Sequence, residues 1–171
     1  MRKPETGSVR AVARGLEEAT AGAEAGPTPG AAQRALDVFI GRWINEGSTA
    51  ARPGFDPERI VTSDVYEWAP GGFFVIHSGY GRIGGVDVGG VEIIGYDHES
   101  ETYTSRFFDS FGNESSSRLT VSGRVWTWQG ERTRCDATIS EDGRIQRALH
   151  ERSDDGRTWE PSMDVTLVKV G

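Results

Sequence analysis

Residues 59–80 read RIVTSDVYEWAPGGFFVIHSGY, and this stretch decides the fold class. β-branched and aromatic side chains fill two runs, 59–69 and 72–80, with Pro70-Gly71-Gly72 between them. Short runs of this composition bounded by Pro and Gly read as strands joined by a tight turn. Successive strand side chains point to opposite faces, so Tyr66 and Trp68 share one face.

Working outward, the same texture recurs. Further strands are expected near 42–51, 86–96, 101–110, 114–121, 124–129, 131–140, 144–153 and 158–169. The turns between them have identifiable chemistry: Asp97-His98-Glu99-Ser100, Phe111-Gly112-Asn113, Asp142-Gly143 and Asp154-Asp155-Gly156. Asp and Gly tolerate the positive φ of tight hairpin turns, so neighbouring strands are antiparallel. About ten hairpin-linked strands with no helices between them are best closed as an up-and-down barrel, which also leaves no exposed edge.

The chain before the strands is different. Ala35, Leu36, Phe39 and Ile40 are spaced as on a helix that Gly41 would end, predicting a short helix over 31–40. Residues 1–30 are rich in Ala, Gly, Pro, Glu and Thr and carry too few large apolar side chains to offset ordering entropy. They read as a tail, transiently helical near 8–25, that runs through Gly26-Pro27-Thr28-Pro29-Gly30 into one barrel domain over 31–171.

Composition narrows the function classes. A formal net charge of −7, with Arg and acidic residues interspersed, disfavours phosphate-backbone binding. No apolar h-region follows Arg2 and Lys3, and the most apolar stretch, Phe73 to Ile76, is far shorter than a membrane span. The single cysteine, Cys135, cannot form an internal disulfide, which points to a reducing compartment, by default the cytoplasm.

Few motifs carry chemistry. Gly79-Tyr80-Gly81-Arg82-Ile83-Gly84 spells a dinucleotide fingerprint, but the residues after it are poor helix formers and cannot aim backbone N–H groups at a pyrophosphate. His77, His98 and His150 have no metal-ligand spacing, and no metal site is expected. His98 falls in a turn and reads as solvated. Cys135 stands between Arg134 and Asp136, so it should face inward as a small hydrophobe. Asp64, Glu67, Asp109, Glu151 and Asp164 are scattered over several strands, and the sequence singles out no acid–base pair among them.

Gly41-Arg42-Trp43, Pro70-Gly71-Gly72-Phe73-Phe74, Ile93-Ile94-Gly95-Tyr96-Asp97, Phe107-Phe108-Asp109 and Asp154-Asp155-Gly156-x-Thr158-Trp159 together resemble the bacterial domain-of-unknown-function family 1579, one of the lipocalin-like, or calycin-type, β-barrels. The resemblance spans about residues 31–170. It implies a barrel with a central cavity and carries no catalytic set. It also implies that Trp43 closes one end of the barrel under a basic residue of the last strand, a role open to Lys169.

A barrel of about ten strands is wider than its side chains easily fill, so some rings should border a ligand space. Trp43, Tyr66, Trp126 and Trp128 are the candidate apolar walls. His77, Tyr103, Arg106 and His150 are the candidate polar groups that would orient a small, mostly apolar ligand bearing one polar or anionic group. Arg106 can equally point outward. The alternatives are an isomerase- or cyclase-type enzyme moving a proton through His77, Tyr103 or His150, a haem-binding barrel using one histidine, as some related ten-stranded barrels do, and an assembly role through a homodimer.

Overall fold

The computed structural model describes residues 27–171, so the helical character expected near 8–25 lies outside the described residues. Helix α1 (Ala31–Arg34) passes into a 3-10 turn (Ala35–Val38). Ten strands follow: β1 (Gly41–Thr49), β2 (Arg59–Trp68), β3 (Phe74–Ile83), β4 (Val86–Asp97), β5 (Thr102–Asp109), β6 (Glu114–Ser122), β7 (Val125–Gln129), β8 (Thr133–Ile139), β9 (Ile145–Arg152) and β10 (Glu160–Lys169). Each pairs antiparallel with its neighbour in sequence. β1 closes on β10, from Trp43 opposite Lys169 to Thr49 opposite Met163. The result is an all-β, ten-stranded, lipocalin-like barrel with a short helix at its N-terminal side.

Two local readings change. The expected ten-residue helix is one α-helical turn continued by i→i+3 bonds, with Phe39 N–H donating to Leu36 and Ile40 N–H to Asp37. Gly41, at φ +137°, then turns the chain into β1, a conformation that a side chain would resist. The segment 81–85, expected as a loop, is mostly strand: β3 runs to Ile83, and Gly84-Gly85 make a two-residue hairpin tip that sets Ile83 opposite Val86.

This helical segment plugs one end of the barrel. Leu36 and Phe39 are fully buried, and each contributes about 1.5–3 kcal/mol through area removed from water. The tips of three barrel aromatics tie the plug down: Trp43 Nε1 donates to the Phe39 carbonyl (2.8 Å), Trp68 Nε1 to Asp37 (3.0 Å) and the Tyr103 hydroxyl to the Ala32 carbonyl (2.8 Å). Below the plug, Val75, Ile94, Leu119, Trp126, Ala137, Ile139 and Leu167 complete a close-packed core. Lys169 Nζ lies 4.9 Å from the Trp43 ring centroid, the basic cover that the family resemblance implies.

Candidate functional site

Away from the plug the interior is less tightly buried. The inward-facing positions His77, Phe107, Trp128, Cys135, His150 and Met163 are mostly buried but less completely than the core, and Trp128, Cys135 and Met163 pack against it. The part of the interior that these side chains border, on the side away from the plug, is the barrel lumen. At the end of the barrel away from the plug, the connection 50–58 carries a surface concavity of about 540 Å³.

The floor of the lumen is polar. Tyr66 stands opposite His77 across β2 and β3, and His77 opposite Glu92 across β3 and β4. His77 Nε2 lies 2.9 Å from Asp64 Oδ1, and its Nδ1 lies 3.1 Å from Glu92 Oε2. The second oxygen of each carboxylate is also engaged: the Thr62 hydroxyl donates to Asp64 Oδ2 at 2.6 Å, and Trp128 Nε1 to Glu92 Oε1 at 2.9 Å. Beneath, the Tyr66 ring stacks on the imidazole with centroids 3.9 Å apart. Gly79 makes the cluster sterically feasible, because a Cβ there would stand 2.8 Å from Asp64 Oδ1.

The electrostatics follow from burial and these contacts. Burial alone would push His77 toward its neutral form, but hydrogen bonds to Asp64 and Glu92, with their charges, outweigh it and raise its pKa to about 9. Both ring nitrogens therefore donate, and His77 is an imidazolium at neutral pH. Burial, then Glu92 and Asp64, keep the Tyr66 phenol protonated well beyond its ordinary range. Higher on the wall, Cys135 Sγ lies 3.6 Å from His150 Nε2. Burial holds His150 neutral, lowering its pKa despite Glu92, and burial with the charges of Glu92 and Asp136 pushes the Cys135 thiol up to about 12.

The eight residues singled out from sequence divide three ways. Tyr66, His77, Trp128 and His150 face inward around the Asp64–His77–Glu92 cluster, with the Tyr66 and Trp128 rings also packed against Phe39 of the plug. Trp43, Trp126 and Tyr103 pack the plugged end: Trp43 is fully buried, the Trp126 ring packs edge-on to Phe39 and Tyr103, and the Tyr103 hydroxyl is spent on the plug. Arg106 is a correction to the expected set. Strand alternation puts it on the outer wall, ion-paired with Glu114 and 62% exposed. His98, expected to be solvated, is exposed but sits 3.1 Å from the Gln33 side-chain amide.

Sequence reasoning left Asp64 among unassigned acids and did not pick out Glu92. The available signal was phase. Asp64 keeps step with Tyr66 and Trp68, and Glu92 with Ile94 and Tyr96, so both acids fall on the inward side of their strands. Pairing Glu92 with His77 further required knowing that the hairpin tip is Gly84-Gly85.

No helix among the described residues is long and apolar enough to cross a membrane. No curated protein matches the chain. Among solved structures it is similar in fold to the crystal structure of Rv2717c from M. tuberculosis, at 12% identity and a TM-score of 0.61, covering 83% of this chain and 99% of that one. Residues 28–166 match the model of a family described as Protein of unknown function (DUF1579), and with a closed, plugged barrel of the expected kind the chain belongs to that family.

Proposed function

We propose that the protein binds a small, mostly apolar molecule in the lumen above the Asp64–His77–Glu92 floor. The observation that carries this reading is a barrel closed at one end by a buried plug, with Phe107, Cys135, His150 and Met163 facing inward away from it and less completely buried than the core. Such a surface loses water favourably to an apolar guest, and the few polar groups at its base fix orientation. The ligand-facing set is Tyr66, His77, Trp128 and His150, joined by Asp64, Glu92, Phe107, Cys135 and Met163. The lone cysteine supports a cytoplasmic setting.

Proton-transfer catalysis is the weaker reading. His77 engages a carboxylate at each nitrogen and has no lone pair for a substrate proton, and Tyr103 is tied to Ala32. Among the histidines, His150 has the neutral imidazole on the lumen wall that haem iron would need. Native mass spectrometry and a visible spectrum of the purified protein test the reading. Retained small molecules, or a melting temperature raised by apolar ligands in wild type and not in Trp128→Ala, are expected. A Soret band would make haem the occupant. An empty protein indifferent to a broad ligand screen would refute lumen binding.

Assembly through paired barrels has one observation behind it. Phe74, Val91, Ile93 and Phe108 are exposed on the outer face of β3–β5. Sedimentation velocity showing only monomers would remove it.

A further inference from the structure

Resting on lumen binding, we propose that the lumen selects its ligand by a cationic or hydrogen-bond-donating head group, an amine on an aromatic body, and discriminates against carboxylates. The sequence suggested a polar or anionic group, partly through Arg106, and Arg106 is outside.

The charges that face the lumen floor are Asp64 and Glu92, at 5% and 8% exposure, and the imidazole between them. Their sum is one negative charge with His77 protonated and two with it neutral, so the sign does not depend on how His77 titrates. The remaining inward cations lie elsewhere. Lys169 covers Trp43 at the plugged end, and Arg152 at the rim reaches Glu160 at 3.4 Å. Buried carboxylates are weakly screened, so an arriving anion is repelled and an ammonium attracted.

An independent feature points the same way. Asn45 and Gln146 flank Leu167 across β10, and all three positions face inward. Among the described residues, the buried side-chain atoms without a hydrogen-bond partner are the amide oxygens of Asn45 and Gln146 and, at the rim, Arg152 Nε. Buried acceptors without donors are unfavourable, and a donor-bearing guest relieves them. Across β1 and β2, Asn45 stands opposite Thr62, whose hydroxyl already donates to Asp64. Asn45 and the buried negative charge thus lie along one side of the lumen, with Gln146 toward the plugged end beside Ile139, while Trp128, Phe107 and Met163 offer the apolar wall for the body of the ligand.

Three probes sharing an indole ring isolate the head group: tryptamine, tryptophol and indole-3-acetate, titrated calorimetrically into the full chain at neutral pH. Tryptamine should bind roughly tenfold or more tightly than indole-3-acetate, with tryptophol between them. Asp64→Asn and Glu92→Gln should each shrink that ratio, and a near-UV circular dichroism spectrum like that of wild type would show that the variant's barrel is intact. Equal or tighter binding of indole-3-acetate by wild type overturns the charge selection and leaves lumen binding standing. A preference for tryptamine that survives both substitutions assigns it to the acidic surface and overturns the proposal too. If none of the three probes binds, the head-group inference falls, and lumen binding is decided by the broad ligand screen.

Discussion

Single residues decide what the floor of the lumen does. His77 takes up its proton more readily in the folded chain, with a pKa near 9 against an ordinary 6.5. Its raised pKa therefore stabilises the fold fully below about pH 6.5, and that contribution is lost as pH rises through 9. Denaturant unfolding should show stability falling by up to about 3 kcal/mol across that window. His77→Gln should flatten the curve there, and a wild-type curve equally flat would show that the two carboxylates do not hold the imidazolium. Cys135, with its thiol near 12, should react slowly with a disulfide reagent at pH 8 and completely once unfolded; rapid labelling of the native protein would contradict its burial. Gly79→Ala places a methyl against Asp64 and should lower the His77 pKa as read by NMR titration. That glycine belongs to the phosphate-loop look-alike, whose glycines serve the barrel wall.

At the scale of elements, the strands were legible to within about three residues, because each run of β-branched and aromatic residues ends at a turn with its own chemistry. Asp155, for example, accepts from the backbone N–H groups of Arg157 and Thr158, both at 2.7 Å, and so organises the β9–β10 turn. The hairpin between β3 and β4 was misread because five residues rich in glycine resemble a loop until a partner strand fixes them. The plug was legible as a short helix, but its purpose was not. Leu36 is fully buried against barrel side chains, so Leu36→Ala should cost about 2–5 kcal/mol in chemical denaturation. A loss below 1 kcal/mol would mean that the plug is an ornament and the barrel stands without it.

For the whole molecule, closure is the decisive event. With β1 paired to β10 there is no edge strand, so amides over 43–49 and 163–169 should exchange with solvent as slowly as those of β3 and β4. Fast exchange along either seam strand would indicate an open sheet. The sequence by itself determined strand order, hairpin connectivity and the barrel class, since period-two patterning and turn residues act over a few neighbours. It also identified Tyr66, His77, Trp128 and His150 as inward candidates. Only the tertiary structure decided which rings pack the plugged end and which face the lumen, that Arg106 lies outside, and that Asp64 and Glu92 clasp one imidazole. Those outcomes depend on register summed around the closed sheet and on where the plug sits, quantities that no local window of residues contains.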